Sequence, residues 1–205
     1  MMRKLCFGGT FNPIHHAHLL CARAVAEARG FDRVALFPSA LPPHNLQANE
    51  LASPQDRLAM CRAAVKGDGL FEVNDLELTR SGPSYTIDTV RQLRRDGWDR
   101  VAWLIGADML SVLPQWHEPL QLLRDAELVV MARPGWSLDW GALPEPYRAL
   151  RGQVVEAPLL DLSATTIRRR VAAGRSVRYL TPDAVCDYIA AHGLYRQPPT
   201  ESSKG

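Results

Sequence analysis

Apolar positions along the 205-residue chain alternate between short continuous runs and longer stretches with a helical repeat. Leu5–Phe7 is a short run that ends at Gly8-Gly9. From about His16 to Ala28, the residues Leu19, Leu20, Ala22, Val25 and Ala26 recur at helical spacing. Arg33–Phe37 is a second run, stopped by Pro38. Ser53-Pro54 predicts an N-cap followed by a proline at the first helical position, opening a helix through Leu58, Met60 and Ala64. Phe71–Val73 reads as a strand and Thr86–Arg95 as a helix after the Arg80-to-Pro83 loop. Val101–Ile105 is a fully apolar strand closing at Gly106. Pro119–Leu123 reads as helical, and Glu127–Ala132 as a strand that runs into the Arg133-Pro134-Gly135 turn. Val154-Val155 is a last short strand, and Ser163–Ala173 and Pro182–Ala191 are the closing helices.

Strands that are apolar on both faces and alternate with helices predict an α/β fold. The expected form is a Rossmann-like, doubly wound parallel sheet with helices on both faces and a small C-terminal helical part at about 163–196. A single domain over 1–196 is expected, and the Pro- and Ser-rich stretch 197–205 predicts a disordered tail. In such sheets a ligand sits beyond the carboxyl ends of the strands, where the strand order reverses. Gly8-Gly9 and Gly106 both fall at strand ends.

Bulk composition narrows the classes of function. Hydrophobic residues make up 46% and charged residues 22%, which suits a globular chain with a substantial core. A net charge of +2 argues against nucleic acid and acidic membranes as partners, and points at most to a small anionic ligand. Cys6, Cys21, Cys61 and Cys186 are scattered without a C-x-x-C pair, so buried free thiols are expected. The apolar stretch after Met1-Met2-Arg3-Lys4 is too short for a secretory segment, and no run has the length of a membrane span. The expected location is the cytoplasm.

The segment from Gly8 to His18 carries the most chemistry. Two glycines after a strand let a backbone approach a ligand closely. The helix beginning near His16 offers N–H groups and its dipole to the same crevice. His15 and His18, three apart, share one side of the first turn. Together they make a pocket for a polyphosphate. A zinc reading lacks H-E-x-x-H and a spaced third ligand, so no protein-held metal site is expected. Neither a P-loop nor G-x-G-x-x-G is present, so the usual kinase and dehydrogenase patterns do not apply.

Gly9, Phe11, Pro13, His15 and His18 resemble the G-x-F-D-P-x-H-x-G-H signature of the nucleotidyltransferases that share a core with class I aminoacyl-tRNA synthetases. Asn12 stands for the usual Asp and Ala17 for the Gly. Leu162-Ser163-Ala164-Thr165-Thr166-Ile167-Arg168 resembles the second signature, I-S-S-T-x-I-R. Within this superfamily, three stretches resemble the bacterial nicotinate mononucleotide branch. They are Pro42-Pro43-His44, Gly82-Pro83-Ser84-Tyr85-Thr86-Ile87-Asp88-Thr89, and Ile105-Gly106-Ala107-Asp108 followed by Trp116 and by Arg133-Pro134-Gly135. Asn45 stands where the first stretch carries Lys.

The resemblance implies transfer of the adenylyl group of ATP to nicotinic acid mononucleotide. On it, His15, His18 and Arg168 are the expected catalytic residues. Gly8, Gly9, Thr10, Phe11, Ser163, Thr165 and Ile167 bind ATP and its phosphates. His44, Tyr85, Thr86, Gly106, Asp108, Trp116, His117 and Arg133 bind the mononucleotide. Trp116 offers a flat face for the cationic pyridinium ring, the start of the Thr86 helix offers N–H groups to the ring carboxylate, and Asp108 accepts from ribose hydroxyls. Mg²⁺ is expected as a companion of the ATP phosphates. Nicotinamide mononucleotide or phosphopantetheine as acceptor, a nucleotide-binding sensor, and a homo-oligomeric state all stay open at this point.

Overall fold

The computed structural model describes residues 2–42 and 51–196. The elements follow in the order β1 (Lys4–Gly9), α1 (His16–Arg29), β2 (Arg33–Pro38), α2 (Pro54–Ala64), β3 (Phe71–Val73), α3 (Thr86–Arg95), β4 (Ala102–Gly106), α4 (Pro119–Asp125), β5 (Glu127–Ala132), α5 (Glu145–Arg148), β6 (Val154–Glu156), α6 (Ala164–Ala172) and α7 (Asp183–Ala191). Among the described residues, short 3₁₀ turns lie at Leu76–Thr79, Ala107–Met109, Leu113–Gln115, Trp140–Ala142 and Ala149–Gln153. These turns and α5 were not legible as periodicity, because one turn of helix is too short to show a repeat. Elsewhere the expected and observed elements agree to within a few residues. The Pro- and Ser-rich 197–205 stretch and His44 lie outside the described residues.

Local chemistry explains the boundaries. Gly30, at φ 64°, ends α1 in the left-handed conformation that a side chain disfavours. Ser53 caps α2 by accepting the Asp56 N–H, with proline in the first turn as the sequence predicts. Ser163 likewise caps α6, accepting the Thr166 N–H at 3.2 Å.

The six strands form one parallel sheet in the order β3-β2-β1-β4-β5-β6. Alternate residues of each strand feed two separate cores, as the two-residue repeat requires. Leu5, Phe7, Leu36 and Leu104 pack against Ala22 and Val25 of α1, Met60 of α2 and Val185 of α7. Cys6, Ala35, Trp103 and Ile105 pack against Ile87 and Val90 of α3 and Leu122 of α4. Both faces are therefore covered, which is the Rossmann-like arrangement expected. The strand order runs outward in opposite directions from β1 and β4, so the reversal point lies between their ends, Gly8-Gly9 and Gly106. Among the described residues no helix is long and apolar enough to cross a membrane. The four cysteines are free; Cys6 and Cys61 are buried, whereas Cys21 and Cys186 are only partly so.

Candidate active site

A cavity of about 730 Å³ opens at this reversal point. Of the sequence-predicted residues, Gly8, Gly9, Thr10, Phe11 and His18 line one end. Tyr85, Thr86, Gly106, Asp108, Trp116 and His117 line the other. His15, Ser163, Thr165, Ile167, Arg168 and Arg133 are not on its wall.

At the first end, the glycines answer to aromatic packing as well as to space for a ligand. A Cβ at Gly8 would meet Trp103 Cζ2 at 2.5 Å, and one at Gly9 would meet the Phe11 ring at 3.0 Å. Phe11 itself sits at φ 47°, a conformation that costs energy for a residue with a Cβ. Its ring meets Phe7 edge-on at 5.5 Å and His18 at 5.2 Å, which fixes the imidazole from the side.

The two histidines are stacked, with ring centroids 3.7 Å apart and planes 18° from parallel. Burial pushes His15 down to about 4, with the charge of His16 acting in the same direction. Burial, followed by repulsion from His15, holds His18 well below the usual imidazole value. Both are therefore neutral at pH 7. The Nδ1 of His18 accepts the His15 N–H at 3.3 Å, so the proton of the neutral ring resides on Nε2. His18 thus reaches the cavity as a neutral N–H donor. His15 is 4% exposed and stands behind it.

One expectation needs correction here. The first N–H groups of α1 are not all available to a ligand, because His16 N–H is bound to Leu180 O at 3.2 Å and His15 N–H to His18. The physical reason is that the C-terminal bend around Leu180 lies on the helix start.

The second signature meets the first directly, through a buried contact. Arg168 is 8% exposed, and its Nη1 donates to Asn12 O at 3.1 Å while Nη2 donates to Thr165 Oγ1 at 3.4 Å. Ser163 and Thr165 are exposed beside it. Arg168 therefore ties α6 to the loop between β1 and α1, and its guanidinium faces that loop's backbone.

At the other end, Tyr85 is the N-cap position of α3, and no side chain caps that helix. Tyr85 stacks on His117 at 4.3 Å, and Trp116 packs on the second core while also lining the cavity. Ser84 anchors the helix start to the end of β2: its Oγ accepts Ala40 N–H at 2.9 Å and its N–H donates to Leu41 O at 2.9 Å. The Asp108 carboxylate is folded against Gly106, in the space a Cβ there would fill. Arg133 is exposed after β5, outside the cavity.

Three residues of the site carried no motif. Arg57 is fully buried and donates to three backbone carbonyls, Ala52 O at 3.1 Å, Thr10 O at 2.8 Å and Ala40 O at 3.0 Å. It straps together the loops that follow β1 and β2. Glu77 lines the cavity at 4% exposure and accepts the Thr89 hydroxyl at 2.8 Å. Burial pushes its carboxyl above the ordinary range against the opposing pull of Thr89 and Arg80. Ser39, also on the wall, is 6% exposed. Only the apolar setting of Arg57 and Glu77 distinguishes them from surface charges, and that setting is tertiary. Glu77 and Asp108 are the only carboxylates among the described lining residues, and no group of three His, Cys, Asp or Glu side chains gathers to hold a metal ion among the described residues.

The cytidylyltransferase-like family model matches residues 6–170. A protein of Roseiflexus sp. (strain RS-1) named "Probable nicotinate-nucleotide adenylyltransferase" is 46% identical over 191 residues, covering 92% of this chain and 96% of that protein. A protein of the same name from Marinobacter nauticus is 44% identical over 212 residues, covering 95% and 97%. The solved structure of Plasmodium falciparum nicotinic acid mononucleotide adenylyltransferase complexed with NaAD superposes with a TM-score of 0.75 over 95% of this chain and 98% of that one. Its 15% identity makes that a likeness of fold. With relatives this similar along almost its whole length, the chain belongs to the nicotinate-nucleotide adenylyltransferase family, within the cytidylyltransferase-like proteins.

Proposed function

We infer that this chain transfers the adenylyl group of ATP to nicotinic acid mononucleotide, giving nicotinic acid adenine dinucleotide and pyrophosphate in the cytoplasm. One observation carries the reading: a single cavity has a neutral imidazole donor and a glycine-bounded strand end at one extremity, and an uncapped helix start beside aromatic rings at the other. The two halves of a dinucleotide would lie along it.

In this reading the acceptor's 5′-phosphate oxygen attacks the α-phosphorus of ATP, and the bond from that phosphorus to the α,β-bridging oxygen breaks. Pyrophosphate leaves with the electron pair. The attacking phosphate is mostly dianionic at neutral pH, because its second pKa is about 6, so no general base is needed. The chain's task is to align the two groups and to stabilise charge as it moves toward the leaving group. His18 donates through Nε2 to phosphate oxygens, and His15 keeps its partner's tautomer and orientation. Arg168 holds the loop that shapes this end. Trp116, Tyr85 and His117 form the wall for the pyridine ring, and the N–H groups at the start of α3 receive its carboxylate. That last contact favours nicotinate over uncharged nicotinamide. Asp108 accepts from ribose hydroxyls.

No Lys or Arg is among the described lining residues, so His18 and backbone donors meet the triphosphate with little fixed positive charge. A Mg²⁺ ion accompanying ATP would be held mainly by the phosphate oxygens and water, with Asp108 and Glu77 the carboxylates near enough on the described wall to assist, and would supply charge neutralisation there.

The test is to incubate the protein with ATP, Mg²⁺ and either nicotinic acid mononucleotide, nicotinamide mononucleotide or phosphopantetheine, and to measure pyrophosphate. Release with the nicotinate compound, at several-fold or greater preference over the amide, is expected. Equal or better release with another acceptor would overturn the assignment, and ATP binding without release from any would favour a sensor.

A further inference from the structure

The loop from Thr10 to His15 has no regular hydrogen-bond ladder, so bonds from outside decide its shape. Asn12 is where several converge. Its Oδ1 accepts Ala52 N–H at 3.1 Å and the Tyr195 hydroxyl at 2.8 Å, and its carbonyl accepts from Arg168. Asn12 is 2% exposed and lies one residue after Phe11, whose ring abuts His18.

Tyr195 comes from the turn beyond α7, 183 residues away in sequence. Its backbone is left-handed, at φ 61°, a conformation that persists in a residue with a Cβ only when the surroundings over-determine it. Two anchors supply that determination. The ring packs against the first core, and the hydroxyl reaches Asn12. Burial keeps the phenol protonated well above its ordinary range, so it remains a donor. The same C-terminal region holds the loop a second time, through the Thr181 hydroxyl to Ile14 O at 2.7 Å.

We propose that Tyr195 is a positioning residue for nucleotide binding: its hydroxyl, acting through Asn12, fixes the Thr10-to-His15 loop in the shape that receives the triphosphate. The C-terminal turn thereby sets the ATP affinity of a site built from the N-terminal strand. This rests on reading the β1 end of the cavity as the triphosphate end. It also gives Asn12 a task that needs an accepting oxygen and no charge.

Tyr195→Phe keeps the ring and removes only the hydroxyl. The experiment compares this variant with the full-length wild type by calorimetric binding of a non-hydrolysable ATP analogue with Mg²⁺, by KM for each substrate, and by thermal unfolding. Loss of one hydrogen bond to the loop predicts analogue binding weaker by about fivefold to tenfold. KM for ATP should rise in step, KM for the mononucleotide should stay within about twofold, and the melting temperature should fall by only a few degrees. Unchanged analogue binding would overturn the proposal, as would a rise of both KM values together, which is what a merely loosened fold gives. In an Asn12→Ala background the substitution should have little further effect on analogue affinity, since the two groups act as one unit; full additivity would overturn it. The calorimetric comparison does not depend on the acceptor, so a wrong acceptor assignment shows separately, as absent turnover with intact analogue binding.

Discussion

His18 illustrates how much a single backbone bond decides. Because its Nδ1 accepts the His15 N–H, the ring presents Nε2–H to the cavity and has no need of a positive charge to do so. Burial beside a second imidazole keeps it neutral. His18→Ala should therefore lower kcat by about two orders of magnitude or more, the usual size for losing a transition-state donor. Steady-state turnover with saturating substrates checks this, and near wild-type kcat would remove His18 from the chemistry. Trp116 acts on binding instead. Trp116→Ala should raise the KM for the mononucleotide about tenfold, in line with about 1–2 kcal/mol of ring contact, and leave the KM for ATP nearly unchanged. A larger effect on ATP than on the mononucleotide would place the pyridine ring elsewhere.

At the scale of elements, the site is held by bonds between loops that the sheet brings side by side. Arg57 on α2 joins two of them at three carbonyls, Thr10 O in the loop after β1 and both Ala40 O and Ala52 O in the connection between β2 and α2. Arg57→Leu keeps much of the side-chain volume but leaves these carbonyls without their donor. An unsatisfied buried acceptor costs about 1–3 kcal/mol, so a loss of at least about 3 kcal/mol is expected. For a chain of this size that is a fall in melting temperature of roughly 6–12 °C. Thermal unfolding measures it, and a fall of under two degrees would show that water replaces the strap. Ser84 plays a smaller part of the same kind, joining the start of α3 to Ala40 and Leu41.

For the whole molecule, the histidine pair links site geometry to stability. The folded His15 stays neutral down to about pH 4, whereas in the unfolded chain it takes up a proton near 6.5. The unfolded state therefore binds more protons in between. The stabilisation is complete above about pH 6.5 and is lost as pH falls toward 4, by about 3 kcal/mol for His15 alone. His18, lowered in the same direction, adds to this slope. Glu77 opposes it: its raised carboxyl favours the folded state at the acid end and loses that contribution as pH rises past the ordinary glutamate value. Chemical denaturation at a series of pH values should show stability decreasing from pH 6.5 to 4, with a shallower slope in His15→Gln. Parallel curves for the two proteins would contradict the neutral-pair assignment.

Elements were legible wherever a local pattern was long enough. The six strands and six of the helices announced themselves in apolar runs, helical spacing and the caps at Ser53 and Ser163, because those depend on residues near in sequence. So did the strand-end glycines and the paired histidines. What a local pattern cannot carry is which distant groups share a buried space. The burial of Arg57 and Glu77, and the hold of Tyr195 on Asn12, follow from contacts between segments 12 to 183 residues apart. Arg168 makes the same point from a recognised motif: its sequence position marked it as part of the site, while the packing of α6 on the Asn12 loop determined where its guanidinium points. Sequence alone established the parallel α/β order and the chemical groups at the strand ends. Tertiary structure decided their protonation, their tautomers and their partners, because desolvation and hydrogen-bond geometry exist only once remote parts of the chain are packed together.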